Sequence, residues 1–126
     1  MRIFRNKPFT RFLKKAGLDD AALCKAVAAA ERGLIDADLG GSVVIQRVAR
    51  PGGGKSGGAR ILILYRKGTR AYFVHGFAKN DQDNIDSNEL AALKKLASEM
   101  LSYDDEAIAK AVEFGTLTEV MCDDKD

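Results

Sequence analysis

Eight basic side chains lie between Leu39 and Asn80, and no acidic residue in that segment neutralises them. They are Arg47, Arg50, Lys55, Arg60, Arg66, Lys67, Arg70 and Lys79. Cations that replace the condensed counterions of a polyanion release those ions, so a surface of this kind suits phosphate groups. A solvated basic face with no ligand is the alternative that the charge pattern leaves open. Residues 39–80 are called the acid-free segment below.

The acid-free segment is part of a wider charge asymmetry. Residues 1–79 hold 16 Lys and Arg against 5 Asp and Glu, whereas residues 80–126 hold 4 against 13. The formal net charge of +2 therefore conceals a basic first part and an acidic last part. The acidic part either balances charge within a helical layer or helps to place the domain against a basic protein.

Cations on neighbouring strands could grip a phosphodiester. Because side chains alternate along a strand, Arg60 and Arg66 share one face of a predicted strand, Arg47 lies on an adjacent strand, and Lys79 follows the third. Converging cations would stabilise the extra negative charge of a pentacoordinate phosphorane. An RNA strand supplies its own nucleophile, the 2′-OH, so the protein must mainly orient it and neutralise charge. A lysine among like charges also loses its proton more readily and could act as base or acid.

Two further side chains are candidates for a role in such a site. His75, the only histidine, lies in the third predicted strand in register with Phe73 and Phe77, and an imidazole exchanges protons near neutral pH. A solvent-facing histidine without a catalytic role is the simpler alternative. Tyr65 could stack on a nucleobase, although strand aromatics more often pack in a core.

Because acids are absent around these residues, we expect neither a metal site nor a cofactor.

Residues 49–56, ARPGGGKS, satisfy a relaxed form of the nucleotide-binding phosphate loop. That loop places its Lys-Ser pair at the start of a helix, where backbone amides meet the phosphates. Here Gly57 and Gly58 follow, and then an apolar β-branched strand. A basic hairpin loop explains the same residues, and it can still contact a nucleic-acid backbone through Arg50 and Lys55.

The elements that must position these residues form an α+β pattern. We predict a strand at 1–5, a helix from Pro8 to Ala16, and a second helix whose apolar stripe runs through Leu23, Val27, Ala30 and Leu34. Period-two segments at 43–48, 60–66 and 71–78 predict three antiparallel strands, the middle one central because it is apolar on both faces. The fold class is therefore a small twisted antiparallel sheet packed against two N-terminal helices.

The last third of the chain predicts one or two C-terminal helices. Asp86 and Glu89 have the spacing of a capping box before a leucine-rich helix, and a shorter helix follows from Asp104 to Phe114. Residues 116–121 can add an edge strand. The 126 residues fit a single domain, with residues 122–126 frayed.

Cysteine usage and the N-terminus favour the cytoplasm. Cys24 and Cys122 form neither a metal-ligand pair nor a disulfide framework, so we expect two free thiols in a reducing compartment. The first 15 residues lack an apolar run of the kind that directs export, and no segment is apolar enough to cross a bilayer.

The phrases at 54–60 (GKSGGAR), 73–80 (FVHGFAKN) and 83–85 (DNI) resemble the RelE/HigB superfamily of toxins from bacterial type II toxin–antitoxin modules. The segment at 31–41 (ERGLIDADLGG) resembles one branch of it, so the likeness covers roughly residues 1–120. The resemblance implies a RelE-like fold and a metal-independent endoribonuclease that cleaves mRNA, typically in the ribosomal A site. Its implied products are a 2′,3′-cyclic or 3′-phosphate and a 5′-OH.

The resemblance also implies partners and residue roles. A cognate antitoxin, often a helix-turn-helix protein, would hold the toxin inactive, and the pair would bind operator DNA through the antitoxin. By motif position, Arg60 matches the strand-entry arginine that contacts the scissile phosphate, Arg47 falls near a basic pair on the preceding strand, and Lys79 falls in the basic turn. RelE-type members carry a tyrosine shortly after that turn, where this chain has Ile85. Lys79 and His75 are therefore the candidates for proton transfer.

Two other functions remain open at this point. One is a non-catalytic module whose basic sheet only binds RNA or DNA. The other is a ParE-like inhibitor of DNA gyrase, which shares the fold but not the nuclease residues.

Overall fold

A computed structural model describes residues 1–50, 54–78 and 85–122 of the chain. Within them the chain forms an α+β domain of six strands and four helices. In chain order these are β1 (Arg2–Asn6), α1 (Lys7–Ala16), α2 (Asp20–Glu31), β2 (Ala37–Gly40), β3 (Val43–Arg50), β4 (Gly54–Arg66), β5 (Arg70–Ala78), α3 (Ser87–Leu101), α4 (Asp105–Glu113) and β6 (Leu117–Val120). The predicted α+β class and all four predicted helices are confirmed.

The six strands form one sheet in the order β2-β3-β4-β5-β1-β6. Four of the five strand pairs are antiparallel, but β1 lies parallel to β5. The sheet is therefore mixed: the three strands predicted to be antiparallel, β3, β4 and β5, are so, and β1 adds one parallel pair that was not predicted. The cause is topological: the first strand inserts between β5 and β6, at the far side of the meander that β3, β4 and β5 form. The central position predicted for β4 is confirmed.

Both faces of the sheet are covered, because β4 is apolar on both sides. Ile61 and Ile63 belong to a core with residues of α1 and α2, whereas Leu62 and Leu64 belong to a second core with residues of α3 and α4. All four side chains are at most 1% exposed. Burial of an aliphatic side chain of this size contributes about 1.5–3 kcal/mol, so the two cores fix the orientation of these four residues and, by strand alternation, of the adjacent Arg60.

Polar side chains set the helix boundaries. Asp86 and Glu89 form the predicted capping box at the start of α3: the Asp86 carboxylate accepts from the Glu89 N–H at 2.8 Å, and the Glu89 carboxylate accepts from the Asp86 N–H at 3.2 Å. Asp19 caps α2 by accepting from the Ala22 N–H. None of the helices in the described ranges is both long and apolar enough to span a membrane.

The segment after α2 differs from the prediction. The helix ends at Glu31 and the chain turns through Gly33, whose φ is +86°. Leu34 is consequently 60% exposed, and its predicted place on the buried stripe was wrong. The fully buried amide of Gln46 holds this segment, because it donates to the carbonyls of Ala26 and Leu34 and accepts from the Asp36 N–H. The chain then forms β2, an edge strand that the sequence analysis did not predict.

The two cysteines form a disulfide, so the prediction of free thiols was wrong. Cys24 lies on α2, and Cys122 follows β6. They are 98 residues apart in the sequence, and the pairing of β6 with β1 returns the end of the chain toward α2. Since neither cysteine is a free thiol, the cysteines do not support a reducing compartment.

Reduction of this disulfide is expected to lower the free energy of unfolding by about 2–4 kcal/mol, because a cross-link across a long loop restricts the unfolded chain. The measurement is chemical denaturation with and without a thiol reductant. A double variant, Cys24→Ser with Cys122→Ser, should be insensitive to the reductant. An unfolding midpoint of the parent protein that does not change on reduction would contradict this expectation.

Candidate functional site

Two arginines face each other across the central strands. Arg47 on β3 pairs in register with Arg60 on β4, and Arg60 pairs with Phe77 on β5. Residues opposite each other in an antiparallel pair have Cα atoms about 5 Å apart and project to the same face. Arg47 is exposed, Arg60 is partly exposed and Phe77 is buried. This row, Arg47–Arg60–Phe77, is called the arginine row.

The arginine row lies on the sheet face that carries α3. Arg60 alternates with Ile61, which packs under α1 and α2, so it shares a face with Leu62 of the opposite core. Two contacts of α3 lie toward the other end of this face: its Lys94 side chain covers Gly40 and Gly41, and the Tyr72 hydroxyl donates to the Met100 carbonyl at 2.9 Å. The register of β3 and β4 thus places Arg47 and Arg60 at the end of the face away from these two contacts.

A β-bulge turns His75 to the same face. The pairing of β4 with β5 shifts by one residue between Leu62 and Ile63, so that Leu62 pairs with His75 while Ile63 pairs with Phe73. In a regular strand His75 and Phe73 would share a face, and the prediction that they do was wrong. Phe73 instead packs against Phe9 of α1, and His75 contacts the Phe77 ring with centroids 5.6 Å apart. Bulges commonly re-aim a side chain in this way near functional sites.

His75 is a diagonal neighbour of Arg60. Its strand partner Leu62 is two residues along β4 from Arg60, and diagonal neighbours lie about 7–8 Å apart. The imidazole is exposed. A phosphodiester held by the two arginines would therefore lie within reach of this ring.

Gly76 allows the back of this strand to approach α1 closely. An added Cβ at Gly76 would lie 2.4 Å from ring atoms of Phe12. The Phe12 ring occupies the space that a Cβ would need, so any other residue at this position would force the ring, α1 or β5 to shift. The contact lies directly behind the segment that carries His75 and Phe77.

Arg66 shares the face of Arg60, as its spacing predicts, but it lies at the opposite end of β4. Its guanidinium donates to the Leu101 carbonyl at 3.5 Å, and that of its strand partner Arg70 donates to the Tyr103 carbonyl at 2.6 Å. These carbonyls lie at and just after the C-terminus of α3, where cations are favourable. Arg66 thus contacts the helix end, remote from the arginine row.

Tyr65 lies on the other face of the sheet. Its hydroxyl donates to the Glu31 carboxylate, which also accepts from the Gly68 N–H at 2.9 Å. Burial and this carboxylate raise the pKa of Tyr65, whereas the Tyr65 hydroxyl and the Gly68 N–H lower the pKa of Glu31. The cluster links the end of α2 to the β4–β5 turn, and it does not place Tyr65 next to Arg60.

The lowered pKa of Glu31 predicts a pH-dependent contribution to stability. A carboxyl whose pKa is lower in the folded state stabilises the fold above its unfolded pKa, near 4.5, and that contribution is lost as the pH falls through the folded pKa. Glu31→Gln is expected to lower the free energy of unfolding by about 1 kcal/mol at neutral pH. The difference from the parent protein should shrink toward pH 3 in denaturation experiments. A difference that grows on acidification would contradict the assignment.

Of two predicted site residues, Arg50 and Lys55, only the backbone is described, and a third, Lys79, is not described. Arg50 and Lys55 belong to the paired ends of β3 and β4, where Arg50 pairs with Gly54, so their backbone positions extend the strands of the arginine row. Lys79 lies outside the described residues, as do residues 51–53, residues 80–84 and the chain end from 123 to 126.

The arrangement can bind and stabilise negative charge. Within the described ranges, neither Arg47 nor His75 takes part in an ion pair. The backbone N–H of Arg47 donates to the Asp36 carboxylate at 2.7 Å. Arginine presents several N–H donors in a planar fork that matches phosphate oxygens. Two guanidinium groups and an imidazole on one face are the kinds of group that phosphate binding and proton exchange require.

Sequence reasoning missed the supporting residues of this site. Phe77 and Gly76 were treated only as parts of a strand, although a glycine inside a strand pattern often marks a bulge or a close approach of another element. The bulge itself has no separate sequence signal beyond that glycine. The pairing of Arg47 with Arg60 could be expected from neighbouring strands, but not its exact register.

A comparison with curated proteins found no match. A comparison with protein-family models found a match over residues 1–120 to the family described as the RelE toxin of the RelE/RelB toxin–antitoxin system. This match spans almost the whole chain, including every element of the sheet and the segment that carries Arg47, Arg60 and His75. The chain therefore belongs to the RelE toxin family, and this membership implies a cognate antitoxin as its partner.

Proposed function

We propose that this toxin is a metal-independent, ribosome-dependent endoribonuclease that cleaves mRNA and so inhibits translation. The observation that carries the proposal is the arginine row: Arg47 and Arg60 are opposite each other on one face, and His75 lies diagonally from Arg60 on the same face. Family membership supports the toxin role. The acid-free segment around these residues favours chemistry driven by cations over chemistry at a carboxylate-held metal.

In the proposed reaction, the two arginines hold the non-bridging oxygens of the scissile phosphate. The 2′-OH of the preceding ribose attacks the phosphorus, and the 5′-oxygen of the following nucleotide leaves. The products are a 2′,3′-cyclic phosphate and a 5′-OH, so no water is consumed in this step. The guanidinium groups stabilise the charge that develops on the phosphorane, and orientation of the 2′-OH in line with the leaving oxygen supplies much of the acceleration.

Two protons must move during this step, one from the 2′-OH and one to the 5′-oxygen. We assign His75 to one of these transfers, and its exposed side chain and its diagonal position relative to Arg60 support this assignment. We assign Lys79 as the second proton-transfer group, on the basis of its position in the sequence after β5. Arg50 and Lys55 are proposed to contact the RNA backbone at the β3–β4 end of the site.

We further propose that the antitoxin is a helix-turn-helix protein, that it connects the toxin to operator DNA, and that the toxin acts in the cytoplasm, where translating ribosomes are found. These statements extend the family assignment.

The test is controlled expression of the chain in bacteria, followed by mapping of new 5′ ends in mRNA. Expression should stop growth and produce mRNA ends that carry a 5′-OH, and Arg47→Ala should abolish both effects. Arg32→Ala is the matched control, because Arg32 is an exposed arginine at the end of α2. Growth arrest with intact mRNA and inhibited DNA supercoiling would favour a gyrase inhibitor. Salt-sensitive RNA binding without cleavage, on or off ribosomes, would favour a binding module.

A further inference from the structure

The outer face of α1 is a basic stripe. Its buried side chains are Phe9, Leu13 and Ala16. With 3.6 residues per turn, the four exposed cations of this helix fall within an arc of about 100°, directly opposite the buried face. These cations are Lys7, Arg11, Lys14 and Lys15, and they are called the basic stripe.

The basic stripe has no neutralising partners among the described residues. The first 18 residues of the chain contain no Asp or Glu. None of the four cations takes part in the ion pairs of the described ranges. The two acids that follow α1 are engaged elsewhere: Asp19 caps α2 through the Ala22 N–H, and Asp20 pairs with Arg5 at 3.1 Å.

Helix stability does not account for this arrangement. Lys14 and Lys15 lie in the last turn, where the helix dipole favours cations, but Lys7 is the first residue of α1 and its first turn contains no acid. Lys7 and Arg11 are also four residues apart, as are Arg11 and Lys15, and like charges at this spacing each cost about 0.2–0.5 kcal/mol. An anionic ligand that lies along the helix would convert these unfavourable charges into favourable contacts.

We infer that the basic stripe is a second RNA-docking surface, which binds the phosphate backbone of a double-helical RNA segment. Single strands are bound through exposed aromatic rings on which bases stack, whereas duplexes are bound through phosphates and shape. The aromatic rings of α1 face inward: Phe9 is fully buried, and Phe12 lies against Gly76. An anionic membrane is disfavoured for the same reason, because the apolar face of α1 belongs to the core and cannot insert between lipids.

This surface is separate from the arginine row. The stripe lies on α1, which covers the sheet face opposite to the one that carries Arg60 and His75. A structured RNA bound at the stripe would leave the arginine row open to a substrate strand, so the toxin could contact RNA on two sides. The choice of RNA over DNA rests on the proposed function, but the binding itself requires no cleavage.

The experiment measures binding of the full chain to an RNA hairpin whose riboses carry 2′-O-methyl groups, so that it cannot be cut by attack of a 2′-OH. Fluorescence anisotropy is recorded at several salt concentrations for three proteins, each first shown by circular dichroism to be folded. The first is the parent protein. The second carries K7Q, R11Q, K14Q and K15Q. The third carries K25Q, K67Q, K95Q and K110Q, which remove the same charge from exposed positions outside α1.

The stripe variant should bind the hairpin at least about tenfold more weakly near 0.1 M salt, and the slope of log K against log salt should become shallower by about 2–4, as expected for the loss of several phosphate contacts. The control variant should retain most of the parent slope. Equal losses in the two variants, an unchanged stripe variant, or binding to anionic phospholipid vesicles in place of the hairpin would each overturn the inference. Because the 2′-O-methyl hairpin cannot be cut, this readout does not depend on cleavage: a parent protein that binds the hairpin through the stripe but leaves mRNA intact would refute the proposed nuclease and not the docking surface.

Discussion

Arg60→Ala is expected to lower the rate of mRNA cleavage by about 10²–10³-fold, because removal of one group that stabilises developing negative charge typically has an effect of this size. Arg60 occupies the centre of the arginine row, between Arg47 and Phe77. Its backbone is held by pairing on both sides, so the substitution removes the guanidinium without removing a strand contact. The rate is measured on programmed ribosomes with purified protein, by primer extension of the mRNA.

Two further variants give this prediction its controls. Arg60→Lys keeps a positive charge but loses the planar fork, so it should recover only part of the activity if two N–H groups contact the phosphate. Arg32→Ala removes an exposed arginine at the end of α2 and should cleave at the parent rate. Cleavage by Arg60→Ala within a few-fold of the parent protein, with an intact fold, would contradict the role assigned to this residue.

Gly76→Ala should destabilise the fold by about 2–3 kcal/mol, as insertion of a methyl group into a packed site commonly does. The added Cβ would lie 2.4 Å from the Phe12 ring, so the ring, α1 or β5 must move to admit it. Gly76 is not among the glycines with a positive φ, so the cost arises from this collision. Since His75 and Phe77 flank Gly76, the variant should also lose cleavage activity at temperatures where it remains folded.

A double-mutant cycle with Phe12→Ala tests the cause. If the ring is the obstacle, Gly76→Ala should cost at least about 1 kcal/mol less in the Phe12→Ala background than in the parent protein. Urea denaturation of the four proteins gives the required free energies of unfolding. Equal costs in the two backgrounds would show that the destabilisation has another source, and would weaken the view that α1 positions the strand behind the site.

Local patterns predicted much of the fold. The alternation of β4 between two cores, the capping box of α3 and the capped starts of the helices all arise from interactions within a few residues, so periodicity and capping residues reveal them. Arg47 and Arg60 could be assigned to adjacent strands for the same reason. Their exact pairing depends on the register of a hairpin whose turn chemistry does not specify it.

Non-local features were missed. The insertion of β1 beside β5 and the disulfide between Cys24 and Cys122 join segments that are distant in the sequence, and no spacing rule connects them. The bulge in β5 reversed the face expected for His75, because one extra residue switches all later side chains to the other side. The face of His75, the residue proposed for proton transfer, was therefore predicted wrongly.

The central claim is that the arginine row holds a phosphate while the adjacent 2′-OH attacks it. The most direct measurement uses an mRNA with a single 2′-deoxy nucleotide on the 5′ side of the mapped cleavage site, programmed on ribosomes with the purified toxin. The account predicts no cut at the substituted position and normal cutting of the all-ribose mRNA. Cleavage of the deoxy-substituted mRNA at the same position would contradict it, since the nucleophile would then have to come from water or from the protein.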